Sequence, residues 1–186
     1  APDWAALADD TYRAETDVVY KVANQFEAKL DLYLPRAGGK PNPTLMFIHG
    51  GGWIGGSKES QSLRVLPYLQ LGMSVVSVEY RLAQVSPAPA AVQDCRCALR
   101  WIIRNAGKYS FDTSRLVVMG YSAGGHLALT TGMLDSSAGF DDECPGTEDP
   151  KVAAIINFFG VTDVADLLEG GNRRDYAVRW CAGSEN

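Results

Sequence analysis

Apolar residues recur along this chain with two different periods. Val18–Val22 and Lys29–Leu34 read as strands. In the second, Leu30, Leu32 and Leu34 alternate with Asp31 and Tyr33, as expected when one face is buried. Thr44–Ile48, Ser74–Glu79, Leu116–Met119 and Val152–Phe159 are short apolar runs, suited to strands covered on both faces. Between them the period lengthens. Val92, Cys95, Leu99, Ile102 and Ala106 recur at spacings of three and four and predict a helix over Ala90–Tyr109. Ala123–Leu134 predicts a second. Ser60–Leu71 predicts a third, which Pro67 should kink or shorten. Pro35–Pro43, rich in proline and glycine, ends the opening hairpin, and Asp135–Asp149 is a polar, acidic loop. Two strands followed by alternating strands and helices imply an α/β fold: a mostly parallel, twisted sheet with helices on both faces.

Two glycine-rich segments interrupt this pattern at the ends of strands. Gly120-Tyr121-Ser122-Ala123-Gly124 matches G-x-S-x-G, with a strand entering and a helix leaving, as in a nucleophile elbow. Ser122 is the candidate nucleophile, placed where a helix dipole favours developing negative charge. His49-Gly50-Gly51-Gly52-Trp53 directly follows another strand. Acyl transfer passes through an oxyanion that needs preorganised N–H donors, and glycines leave such amides unobstructed. Gly51, Gly52 and Ala123 are the candidate oxyanion-hole donors. Trp53 is a candidate wall of the acyl pocket, and the loops Val85–Pro89 and Asp135–Asp149 are expected to flank the mouth of the site.

Gly50-x-Gly52-x-x-Gly55 also satisfies the dinucleotide fingerprint, with Glu79 in reach of a ribose. Bulky Trp53 and Ile54 inside the turn, and two strands ahead of it, argue against that reading. A P-loop fails, because Lys58 stands one position late.

Together these motifs resemble the hormone-sensitive-lipase-like esterases, and within them a bacterial acetyl and feruloyl esterase branch. Glu79-Tyr80-Arg81-Leu82, Pro89-Ala90-Ala91-Val92-Gln93-Asp94 and Phe159-Gly160-Val161-Thr162-Asp163 match as well, and the likeness runs from about Val18 to Cys181. The resemblance implies an α/β-hydrolase fold and hydrolysis of small carboxylic esters (acetyl, short-chain acyl or feruloyl) by Ser-Asp-His chemistry, without cofactor or metal. It also implies that His49 braces the glycine loop and that Asp163 is structural.

The triad is where the sequence runs short. The chain has only two histidines, His49 and His126. His126 follows Ser122 by four residues on one helix, too far along to meet the hydroxyl. In α/β-hydrolases the acid and the histidine follow the serine in chain order. Residues 1–186 are therefore expected to be the N-terminal two-thirds of one catalytic domain, with the last strands, the triad Asp and the triad His among about 80 to 120 further residues. The apolar run Ala153–Phe159 would otherwise be an open sheet edge. It calls for a partner, either a C-terminal fragment of the same protein or a second copy. A protein of this shape without a base would be a binding protein.

Composition narrows the rest. A net charge of −5 without a basic run argues against nucleic acid, and no apolar run is long enough for a membrane helix. The start, Ala1-Pro2-Asp3, carries no signal-peptide pattern, which leaves the compartment open between cytoplasm and exterior. Of the four cysteines, Cys95 and Cys97 lie on a predicted helix and are expected as free core thiols. Cys144 and Cys181 lie in polar stretches and could form a disulfide.

Overall fold

The computed structural model describes residues 11–36, 40–144 and 146–182. Six strands form one sheet: β1 (Tyr12–Ala23), β2 (Phe26–Pro35), β3 (Asn42–Ile48), β4 (Ser74–Val78), β5 (Phe111–Tyr121) and β6 (Ala154–Phe158). Their order is β1-β2-β4-β3-β5-β6. β2 runs antiparallel to β1 and β4, whereas β4, β3, β5 and β6 are mutually parallel. The hairpin β1–β2 turns at Asn24 and Gln25, both at positive φ (50° and 66°), as a tight two-residue hairpin loop requires.

Alternation along the strands builds two cores. Leu30, Leu32, Met46, Ile48, Val76, Val78, Leu116 and Val118 face one way and meet α2 (Ala90–Arg104) and α4 (Ala123–Met133). Leu45, Phe47, Val75 and Met119 face the other way and meet Val65 and Leu69, from a 3-10 turn (Ser62–Val65) and α1 (Leu66–Gln70). The predicted helix Ser60–Leu71 thus becomes a 3-10 turn followed by a short helix. Pro67 sits in the first turn of α1, where its missing N–H is not needed. The long helix Ala90–Tyr109 breaks at Asn105. The side chain of Asn105 donates to the Trp101 carbonyl, and α3 (Ala106–Tyr109) ends at Ser110 in the left-handed region. At the far edge, among the described residues, β6 pairs with β5 alone, and Phe158 and Phe159 are 36% and 74% exposed.

The acidic loop overturns one expectation. Cys97 is joined to Cys144, and Cys95 is a buried free thiol, so the anticipated Cys144–Cys181 bond is not formed. Residues two apart on a helix point in different directions, so Cys95 enters the core while Cys97 reaches the loop. Arg96, Arg100 and Arg104, at successive turns of α2, hold the same loop. Arg96 and Arg100 both bind Asp141 (2.6 and 2.7 Å), and Arg104 binds Glu148 (2.7 Å). Glu143 pairs with Lys21 and Arg81, which also pair with the buried Asp94. Among the described residues, these side-chain bonds run to α2, β1 and Arg81, with none to the glycine loop or the elbow.

Candidate active site

Parallel strands end together, so the segments leaving β3 and β5 emerge side by side. Ser122 links β5 directly to α4 at φ 53°, ψ −122°, a region that a residue with a side chain occupies only under constraint. Its amide donates to the Phe158 carbonyl (3.0 Å), and its carbonyl accepts from the His126 amide (3.1 Å). The elbow closes because its neighbours lack side chains. A Cβ on Gly120 would collide with the carbonyl of Gly124, and one on Gly124 with the carbonyls of Ile48 and His49.

The glycine loop lies against this elbow. A Cβ placed on Gly50 would sit 2.7 Å from the Tyr121 carbonyl oxygen and 3.5 Å from Ser122 Cβ. Gly51 and Gly52 follow at φ 125° and 61°, and the Gly51 carbonyl accepts from the amides of Ile54 and Gly55 (3.2 and 3.1 Å). Among the described residues, the amides of Gly51, Gly52 and Ala123 have no protein acceptor. The structure thus brings the predicted nucleophile and all three predicted donor residues to one end of the sheet.

The dinucleotide arrangement is absent. No helix begins at the glycine loop, since the next one is the five-residue α1. Glu79 is also engaged: its carboxylate accepts from the Lys58 amide (3.0 Å) and faces His49 Nε2 at 3.9 Å.

Both histidines brace the loop and the elbow. His49 is fully buried, stacks on Tyr80 (4.3 Å between centroids), and its Nδ1 lies 2.8 Å from the Gly50 carbonyl oxygen. Burial lowers its pKa from 6.5 to about 4. His126 sits edge-on to Trp53 and Trp180 (5.3 and 5.4 Å), and burial lowers its pKa to about 4 as well. Among the described residues, no side chain is hydrogen-bonded to the Ser122 hydroxyl. Asp163 accepts from the Asp166 amide (3.3 Å) and caps a turn, and Asp94 is consumed by Arg81 and Lys21. No group of three His, Cys, Asp or Glu residues among the described residues could hold a metal ion.

Trp53 departs from expectation. It is fully buried and stacks on Trp180 (4.4 Å) of α5 (Asp175–Ala182), so its ring anchors the loop and does not wall a pocket. Tyr176 of α5 packs over Gly52, and the Trp180 carbonyl accepts from the Ala88 amide (2.8 Å) in the loop Val85–Pro89. This clamp was not legible in the sequence, because α5 is short and lies in a polar stretch. Its apolar contacts come from a few aromatics, with no long periodic face.

Comparison with known proteins fits this geometry. The chain matches the BD-FAE family over residues 30–183. Esterase LipC of Mycobacterium tuberculosis is 34% identical over 128 residues, spanning 68% of this chain and 32% of the relative. Carboxylesterase NlhH of the same species is 38% identical over 98 residues, spanning 52% and 31%. Among solved structures, a thermophilic esterase, Est2, of Thermogutta terrifontis superposes with a TM-score of 0.72 at 25% identity, covering 91% of this chain and 62% of that one. A form of that esterase phosphorylated by paraoxon superposes with a TM-score of 0.70 at 27% identity, covering 82% and 59%. The matches span about a third of the length of these curated relatives and about three-fifths of the solved chains. Sheet order, elbow and family match agree: the chain belongs to the BD-FAE family of hormone-sensitive-lipase-like α/β-hydrolases.

Proposed function

We propose that this chain carries the nucleophile and the oxyanion hole of a serine esterase acting on small carboxylic esters with acetyl, short-chain acyl or feruloyl groups. The observation that carries the reading is the strained Ser122 at a strand-to-helix turn, side by side with free amides of a glycine loop. In this scheme Ser122 Oγ attacks the ester carbonyl carbon, and the carbonyl oxygen gains negative charge among the N–H groups of Gly51, Gly52 and Ala123. The alcohol leaves with a proton, and water then hydrolyses the acyl-enzyme. Proton transfer needs an imidazole and an orienting carboxylate. His49 and His126 are committed to packing, so both groups come from residues outside this chain. The same residues, in a further segment of the protein or in a partner polypeptide, would cover the edge of β6.

The relatives support the ester class: their printed names are esterase and carboxylesterase, and one solved neighbour is described as phosphorylated by paraoxon. The test is turnover of p-nitrophenyl acetate by the whole catalytic protein and by its Ser122→Ala variant. The proposal expects kcat/KM to fall roughly 10⁴-fold or more with an unchanged melting temperature. Retention of activity within tenfold would remove Ser122 from the nucleophile role.

A further inference from the structure

One polar side chain beside the nucleophile has no partner. Gln61 precedes the 3-10 turn Ser62–Val65, and its backbone carbonyl accepts from the Arg64 amide (2.9 Å). Its side chain takes no part in that turn: it makes no capping hydrogen bond. Among the described residues the Gln61 carboxamide has no hydrogen-bond partner, and its Oε1 is enclosed by protein. The other end of the carboxamide is close to the elbow. Nε2 lies 3.6 Å from the point where a Cβ on Gly50 would stand, and Ser122 Cβ lies 3.5 Å from the same point. The space left by the missing side chain at Gly50 is thus bordered by Gln61 Nε2, Ser122 Cβ and the Tyr121 carbonyl oxygen, the last at 2.7 Å.

Nε2 has no acceptor among the described residues, so it is free to donate to a ligand oxygen that comes up to the elbow. A structural role would show as a cap or a bond to the loop, and neither is present. We propose that Gln61 is a specificity-determining residue whose Nε2 donates a hydrogen bond to an oxygen of the substrate close to the scissile ester. The ligand class is an ester carrying a second acceptor oxygen beside the reacting carbonyl, on either the acyl or the alcohol side. The inference rests on the esterase reading above. A site built around such a donor discriminates against the analogue that lacks the acceptor, because that analogue leaves the donor unpaired.

The test uses two pairs of esters that differ by one oxygen in place of a methylene: ethyl methoxyacetate against ethyl butyrate, and 2-methoxyethyl acetate against butyl acetate. The ratio of kcat/KM within each pair is measured for the whole catalytic protein and for Gln61→Leu. Intrinsic differences in ester reactivity cancel when the two ratios are compared. The expected result is a drop of about threefold to tenfold in the preference for the oxygenated ester in at least one pair, the range of a single neutral hydrogen bond. Gln61→Glu, which keeps the shape and removes the donor, lowers the same ratio and stands in if Gln61→Leu does not fold. Unchanged ratios in both pairs, or an equal loss on all four esters, overturn the proposal and assign Gln61 to packing alone. An unsubstituted protein that turns over none of the four esters overturns the esterase reading itself, a result distinct from unchanged ratios.

Discussion

The elbow with its glycine loop and the loop Asp135–Asp149 are both irregular segments fixed in one place, yet they are held by opposite means. The elbow is built from backbone: Gly120 and Gly124 let strand and helix touch, and Ser122 is held at φ 53° by bonds to Phe158 and His126. The acidic loop is built from side chains. Three arginines of α2, Lys21, Arg81 and one disulfide grip it across long sequence separations, 47 residues in the case of Cys97–Cys144. The first device places Ser122, with close tolerance, beside backbone amides that have no acceptor among the described residues. The second contributes stability, and among the described residues its side-chain bonds run to α2, β1 and Arg81.

Substitutions should separate the two. The largest effect is expected at Gly124→Ala, whose new Cβ would meet the backbone of β3, leaving no flexible atom to yield. We expect a loss of about 4 kcal/mol or more, with no cooperative thermal transition or a greatly lowered one. Asp141→Asn leaves Arg96 and Arg100 without their shared anion, at a cost of about 3 kcal/mol in denaturant titrations. Cys97→Ser frees the loop in the unfolded chain and should cost about 2–4 kcal/mol, while the rate of Ser122 labelling by a fluorophosphonate stays within about threefold. If labelling collapsed with the loop, the two regions would not be independent.

Acid should act on the two regions in different pH windows. Each buried imidazole binds its proton more weakly in the folded state, with a pKa near 4 against 6.5. Stability contributed by His49 and His126 is therefore complete above 6.5 and is lost as pH falls from there toward 4. Asp141 has the same sign in a lower pH window, with a different cause. Its bonds to Arg96 and Arg100 outweigh the opposing desolvation and hold its pKa below the usual range. Its contribution is present above about 4 and is lost only as the pH drops further. Urea midpoints measured from pH 8 to pH 3 should decline in two stages, and His126→Asn should flatten part of the first. The smallest effect concerns chemistry. His126→Asn should alter ester turnover by about threefold or less, since His126 is not the base. A loss of a hundredfold or more would make it one.

The same contrast explains what was legible in the sequence. The strands, the elbow and the glycine loop could be read because local backbone geometry restricts which residues fit: alternating Leu30, Leu32 and Leu34, and glycines at 50–52, 120 and 124. The Cys97–Cys144 bond could not be read. Neither residue stands in a spacing that marks a pair, and the arginines at 96, 100 and 104 identify a partner only once the loop is seen beside them. Trp53 was misassigned for a similar reason. An aromatic in a glycine loop looks exposed until Trp180, 127 residues later, is found stacked on it. The unpartnered carboxamide of Gln61 could not be read, because a lone glutamine has no pattern at all. Its signal is a missing partner, which only coordinates reveal.

The central claim is that Ser122 is an activated nucleophile. The most direct measurement is the intact mass of the whole catalytic protein before and after a fluorophosphonate probe, with the modified peptide identified after digestion. The account predicts one adduct, on Ser122, absent from Ser122→Ala and still formed when His126 is replaced by Asn. An adduct on another serine, or no adduct on a protein that nevertheless hydrolyses esters, would contradict it.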